Sequence, residues 1–457
     1  GLEFDSAGQW QQVQSGMFSD WHPAIHTMMI WLVTRVVNRY AFFIAVQILC
    51  FSLLAGHMAA TLHAWGLRRG WVAAFAVCLL SARSTGVVLL FAIKDTMFSL
   101  LALALAAQMI NIVLSEAAWL RNWPNRIAFA AVLALTTLVR HNGMFFTVPL
   151  LALLLILYVK KSTKECIITT AMAALMLCLV RGPLYSLAHV SRVPTQTYGE
   201  SVGLPMTILC SVYRTEPEKL SPGAIALMEA IASEEEWAYY FVFGNYNSIK
   251  WSRNVGATLY NNVPPGELFL MTWRAVWAAP ETSLRAMLSL TQVVWDPNVH
   301  DFYEMWPRAA NFREDFKTMI REGIVVGISP EILEANCKNP AVKSIGREAL
   351  AFDAEGFAKV NDAFRKVVQL LTPSRTLQSV GIAIFALMLA GGYSLHRRRG
   401  TGALLLIAPS ILYNLGTMLL LCGPDYRFFQ FNVMITMPLV LVCLARTPDT
   451  IRRTKRR

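Results

Sequence analysis

Charge is scarce in this 457-residue chain, where 15% of residues are charged against about 25% in a soluble protein. Together with a mean hydropathy of +0.44, that scarcity argues against a large soluble α/β enzyme and for a chain that spends much of its length in lipid. The motifs of nucleotide chemistry are also missing. There is no Walker A or GxGxxG, and no HExxH zinc motif, so ATP and NAD readings have no support. The eight cysteines show no CxxC or CxxH spacing, and no metal framework follows from them. No internal repeat or low-complexity tract is visible. Six cysteines lie in or beside apolar segments, whereas Cys210 and Cys337 fall in the polar middle region. An oxidising exterior would permit a disulfide between those two. The chain starts at Gly1 with neither Met nor signal peptide, which reads as a fragment.

The charge that is present is mostly basic, with a net value of +12. Its placement points away from nucleic acid. Arg68-Arg69, Arg121 and Arg126, Lys160-Lys161 and Lys164, Arg397-Arg398-Arg399 and the tail Arg452-Arg453-Thr-Lys455-Arg456-Arg457 sit in short loops beside apolar runs, the positive-inside pattern. Nine spans are expected, near 41–64, 71–91, 95–117, 126–140, 144–159, 165–181, 376–395, 401–421 and 429–446, on the basis that a spanning helix needs about 20 apolar residues. With the tail inside, every basic loop falls inside. The fold class expected is an all-α polytopic membrane protein. Its parts are an external loop with an interfacial helix over 1–40, transmembrane helices over 41–181, a mostly helical extracytoplasmic domain over 182–373, transmembrane helices over 374–446 and a cytoplasmic tail over 447–457.

The Pro23–Val37 stretch is short, and His26, Thr27, Thr34, Arg35 and Asn38 share one helical face. It reads as an amphipathic helix lying in the interface, so a further span is expected before Gly1. In the middle region, helices are expected at Pro222–Phe241, Pro265–Ala278, Ser329–Cys337 and Asp353–Leu371, with turn signals between them.

Charge parity puts four polar clusters on one outer face. The first is Asp5-Ser-Ala-Gly-Gln9-Trp10 with Ser19-Asp20-Trp21-His22-Pro23. Asp5 reads as a loop carboxylate, either merely solvated or, with Asp20 and His22 nearby, available for acid–base work. The second is Lys94-Asp95, where Asp95 is either a helix cap or a carboxylate held at the membrane surface with Lys94 free for phosphate. The third, Arg140-His141-Asn142-Gly143, is a polar hairpin turn, a snorkelling arginine or a phosphate site made of Arg140 and His141. The fourth is Gly423-Pro424-Asp425-Tyr426-Arg427, a helix start with Arg on the less favoured side. Arg83 and Arg375 are secondary candidates for anion contact, and Trp295-Asp296-Pro297 and Asn245–Lys250 are indistinguishable from ordinary turns.

In their order and sidedness these clusters resemble the GT-C superfamily of membrane glycosyltransferases, which includes protein O-mannosyltransferases and aminoarabinose transferases. The residues that carry the resemblance are Asp5 in the first external loop, the His22-Pro23 element, Asp95 after a later helix, and Asp425-Tyr426-Arg427 at the start of a late one. It covers about 1–181 and 374–446 and departs in lacking the first helix. The resemblance implies sugar transfer from a polyprenyl-phosphate donor to an extracytoplasmic glycan, lipid or protein, with inversion. Asp5 would be the base, or a metal-linked carboxylate, and Asp95 the second acid. Lys94, Arg140, His141 and Arg427 would hold phosphate, with Asp20, His22, Asp425 and Tyr426 as further substrate- or phosphate-binding residues of the same pocket. Two carboxylates and a phosphate would suit a divalent metal such as Mg or Mn, though nothing in the sequence demands one. The rival reading is a transporter or flippase for a lipid-linked or anionic substrate. Its ionisable groups would be expected near the bilayer midplane and its sequence would show repeats.

Overall fold

The structure, a computed structural model, describes residues 4–250, 255–298, 378–397 and 401–445. Helices dominate, and among the described residues no strand forms beyond the isolated bridges Ser19–Ser191 and Val242–Asn245. The chain divides into two units. One is drawn from Gly1–Ser191, Ser344–Leu415 and Arg427–Arg457, the other from Arg192–Lys343 and Gly416–Tyr426.

In the first unit the helices α1 (Phe4–Ser15), α2 (Ala24–Thr34), α3 (Tyr40–Ala64), α4 (Arg69–Ser81), α5 (Arg83–Val88), α6 (Lys94–Leu114), α7 (Trp123–Val139) and α8 (Met144–Leu179) precede Val380–His396, Gly402–Met418 and Phe431–Leu444. Among the described residues four stretches are long and apolar enough to cross a membrane: Tyr40–Ala64, Lys94–Leu114, His141–Leu187 and Tyr426–Leu444. Helix α6 is buried nearly all round, as expected of a central helix. It packs against α3, α7 and Phe431–Leu444. By contrast α3 buries one stripe, with Phe43, Gln47, Phe51, Met58 and Leu62 inward and Leu49 and Leu53 outward.

Helix α8 folds back on itself. Ser162 leaves helical geometry at φ −148°, ψ 51°, and Cys166 Sγ lies 4.0 Å from the Leu154 carbonyl oxygen. Twelve residues along a straight helix would separate them by about 18 Å. The runs expected at 144–159 and 165–181 are therefore the two arms of a hairpin, with Lys160, Lys161 and Lys164 at its bend.

The span expected at 71–91 is instead broken. Ala82 is extended (φ −66°, ψ 110°), leaving a 13-residue α4 of about 20 Å and a six-residue α5. Polar groups inside the apolar run explain the break. Gln378 Oε1 accepts from the Ser84 backbone N–H at 3.0 Å, and Gln430 Nε2 donates to Ser84 Oγ at 3.2 Å. Downstream, Gln47 Nε2 donates to the carbonyls of Leu89 and Phe91 at 2.9 and 3.0 Å, and Thr96 Oγ1 donates to that of Val88 at 2.8 Å. Irregular backbone persists in an apolar setting when protein groups satisfy it in this way.

Two further corrections concern the N-terminal segment. The expected external loop around Asp5 is the helix α1, which packs on α2. It is held by Trp10 and Val13, 2% and 6% exposed, rather than by an apolar repeat. The polar face of α2 points inward. His26, Thr27 and Thr34 are buried, and Gln9 Nε2 lies 3.0 Å from His26 Nδ1 and donates to Thr27 Oγ1 at 3.1 Å. Its outward residues include Leu32. With 11 residues it reaches about 16 Å, short of a crossing.

The second unit is a helical cluster around Met206, Leu209, Met228, Trp237, Tyr246 and Leu259. Pro265–Ala278 forms as expected. The helix expected over Pro222–Phe241 is two, Pro222–Ile231 and Glu234–Tyr240, because Ser233 and Glu236 make a capping box that starts the second. Residues 416–426, expected as a span end and outer loop, belong to this unit. Cys422 sits in its core, and the Cys422 carbonyl accepts from the Asn247 N–H at 2.7 Å. Cys210 is buried here, while Cys337 lies outside the described residues. So do the helices expected at Ser329–Cys337 and Asp353–Leu371, Arg375, the side chain of Arg83 and the basic tail.

Candidate active site

Helix ends of the first unit bring together residues far apart in sequence. Asp5 lies in the first turn of α1, Lys94 and Asp95 open α6, Arg140 ends α7, and Arg427 precedes Phe431–Leu444. Their charges form a continuous chain. Lys94 Nζ is 3.3 Å from Asp5 Oδ2, and Arg427 Nη1 is 3.3 Å from the same oxygen. Arg427 Nε is 3.9 Å from Asp95 Oδ2, and Arg140 pairs with Asp95 Oδ1. Arg427 thus stands between the two carboxylates.

His22 closes the outer end of this chain. Its Nδ1 is 3.0 Å from Lys94 Nζ, and its Nε2 is 3.6 Å from Asp5 Oδ1. A lysine ammonium has donors only, so Nδ1 accepts and the ring proton sits on Nε2, facing Asp5. Trp21 stacks on the His22 ring at 4.3 Å. Partial burial alone would raise the Asp5 carboxyl pKa. The positive charges of Lys94 and Arg427, with the His22 ring beside them, outweigh burial and hold it well below the usual carboxylate range.

The chain is graded in depth. The Asp95 and Arg140 side chains are 1% and 5% exposed, while those of Asp5, Lys94 and Arg427 are 22%, 16% and 14% exposed. Asp5 and Lys94 are therefore the approachable end, and Asp95 with Arg140 the sealed end. Asp95 is not a helix cap, since the cap residue of α6 is Ile93 and no side chain caps it. Arg140 is similarly engaged. Its Nε donates to Asn142 Oδ1 at 2.6 Å, and its guanidinium lies 4.3 Å from the Phe428 ring centre.

Two further candidates contact each other. His141 is exposed, with its Nε2 3.1 Å from the Asp20 carbonyl oxygen. Asp20 Oδ1 accepts from the Ala24 N–H at 3.0 Å and so helps start α2. These two join each other rather than Asp5. Asp425 and the buried Tyr426 belong to the second unit. The sequence reading missed Phe428, whose ring faces Arg140 and also lies 5.3 Å from the Arg427 guanidinium. Its position beside Arg427 is the one signal that could have marked it.

The arrangement does not suit a divalent metal. Asp5 Oδ1 faces His22 and its Oδ2 faces Lys94 and Arg427, while Asp95 faces Arg140 and Arg427. An oxygen-seeking cation would have to displace those groups. Among the described residues no cluster of three or more His, Cys, Asp or Glu forms. What the site offers chemically is an ionised carboxylate at the open end, flanked by two cations and a histidine, with its geometry fixed from behind by a buried ion pair.

No protein-family model matches the chain, and neither a curated protein nor a solved structure matches it.

Proposed function

We propose that the chain is an integral membrane glycosyltransferase that moves a sugar from a polyprenyl-phosphate-linked donor to an extracytoplasmic acceptor, with inversion at the anomeric carbon. One observation carries the reading: Asp5, the approachable carboxylate, contacts both Lys94 and Arg427 at 3.3 Å. Such a donor brings its own leaving group, so the reaction needs a base near the acceptor hydroxyl and cations near the phosphate. Asp5 takes the acceptor proton as the acceptor oxygen bonds to the anomeric carbon. The bond from that carbon to the phosphate oxygen breaks, and its electron pair leaves with polyprenyl phosphate, whose charge Lys94 and Arg427 meet. A low pKa keeps Asp5 ionised. Once phosphate draws Lys94 and Arg427 toward itself, the Asp5 lone pairs are released for the proton. Asp95 and Arg140 hold Arg427 in place.

The four long apolar stretches and the outward Leu49, Leu53, Ile156 and Leu175 support membrane embedding. The charged site residues lie at helix ends, which favours an enzyme over a transporter, whose ionisable groups sit near the midplane. Charge parity favours an outer location for this face. The chain in proteoliposomes, supplied with a panel of labelled polyprenyl-phosphate sugars and membrane-extract acceptors, should release polyprenyl phosphate and label an acceptor. Translocation of an intact donor with no cleavage would refute transfer and leave the transporter.

A further inference from the structure

The Pro265–Ala278 helix of the second unit is apolar on both sides. Leu268, Met271, Thr272 and Ala275 are buried against the unit's core. On the outward side Phe269, Leu270, Trp273 and Trp277 are 66%, 45%, 51% and 69% exposed. A helix facing water carries polar residues there, and a helix that is apolar all round needs a second apolar environment. Residues 269, 273 and 277 follow one another at four-residue steps along one line. The Phe269 and Trp273 rings lie near parallel at 6.5 Å, and Trp277 meets Trp273 edge-on at 5.7 Å. The following helix, Pro280–Trp295, adds exposed Leu284, Leu288 and Trp295.

Composition and connectivity identify the occupant. Tryptophan with arginine is headgroup-level chemistry, and Arg274 and Arg285 lie exposed among these apolar groups. Glu267 in the first turn is the one carboxylate on Pro265–Ala278, and no Asn, Gln, Asp or Ser accompanies it, so the middle of the face, around Trp273 and Trp277, has no neutral polar group to orient a stacked sugar. The same unit contains residues 416–426, which lie in sequence between the apolar helices Gly402–Met418 and Phe431–Leu444. It is thus tied to membrane-like segments without a linker.

We infer that this face docks on the lipid surface, with Phe269, Trp273 and Trp277 in the bilayer interface and Arg274 and Arg285 toward lipid phosphates. The inference rests on the membrane part of the proposed function and is independent of sugar transfer. The test uses the full chain in vesicles of phosphatidylcholine and phosphatidylglycerol, with no sugar donor. A benzophenone amino acid replaces Trp273 or, as a control, the exposed Glu218, and adducts are read by mass spectrometry after irradiation. Lipid adducts at 273 and none at 218 are expected. Adducts at 273 with a second copy alone, or a lipid yield equal to that at 218, would overturn the docking. As a second measurement, the double variant Trp273→Phe with Trp277→Phe should lose part of the fluorescence quenching that brominated lipid produces in the unaltered protein. Unchanged quenching would also overturn it.

Discussion

Replacing Asp95 with leucine should destabilise the protein far more than an ordinary substitution. The Asp95 side chain is 1% exposed and its partner Arg140 is 5% exposed, so Asp95→Leu strands a buried guanidinium. Breaking a buried pair by removing one partner costs about 3–5 kcal/mol. Arg427 also loses a neighbour at 3.9 Å but keeps Asp5 at 3.3 Å, so the added loss there is small. Replacing both partners, Asp95→Leu with Arg140→Met, should recover most of the loss, because an apolar pair can substitute for a buried ion pair at little cost. The assay is reversible unfolding of purified protein by SDS in mixed micelles, run as a double-mutant cycle. A coupling of about 2 kcal/mol or more between the two sites is expected. A cost below about 1 kcal/mol for Asp95→Leu, the level of a surface pair, would refute the reasoning, as would a double variant no more stable than the sum of the singles. The double variant should still lose transfer, because Arg427 loses its rear support.

Three further outcomes follow from single contacts. Lys94→Gln should weaken donor use mainly through KM, measured in steady-state transfer assays, while an unchanged KM would separate Lys94 from the phosphate. His26, held by burial and by the nearby charge of Lys94 at a pKa of about 3, stays neutral in the fold while the unfolded chain takes up its proton near pH 6.5. Its folded pKa is depressed, so stability is full above about pH 6.5 and is lost progressively as pH falls toward 3. His26→Gln should flatten that slope in pH-dependent unfolding, and an identical slope would contradict the assignment. A Cβ at Gly203 would meet the Leu421 carbonyl oxygen and carbon and the Cys422 backbone nitrogen. Gly203→Ala should therefore cost about 1–3 kcal/mol in proteolysis-monitored unfolding of the second unit, and a neutral effect would argue against the packing of 416–426 there.

Helix positions were largely legible because long apolar runs leave few alternatives. Tyr40–Ala64, Lys94–Leu114 and Pro265–Ala278 lie close to where hydropathy and turn signals put them. The break at Ala82 was not legible, since it depends on Gln378 and Gln430, both remote in sequence. Helix α1 was missed because Gly8 and its several glutamines give no apolar period, and Trp10 and Val13 reveal their role only once packed. The inward turn of the α2 polar face depended on Gln9, since a helical pattern shows that faces differ but not which one meets protein. At the site, charge parity and the order of the clusters suggested that Asp5, Lys94, Asp95, Arg140 and Arg427 share one face. The sealed pairing of Asp95 with Arg140 and the facing Phe428 ring required three-dimensional contacts.

The most direct measurement of the central claim is transfer by Asp5→Asn. The variant keeps the shape of the side chain near Lys94, His22 and Arg427 but removes the charge that accepts the proton. In membranes with matched protein levels, with polyprenyl-phosphate-linked sugar and acceptor supplied, transfer should fall about 100-fold or more while donor binding persists. Full turnover by Asp5→Asn would contradict the assignment of Asp5 as the base.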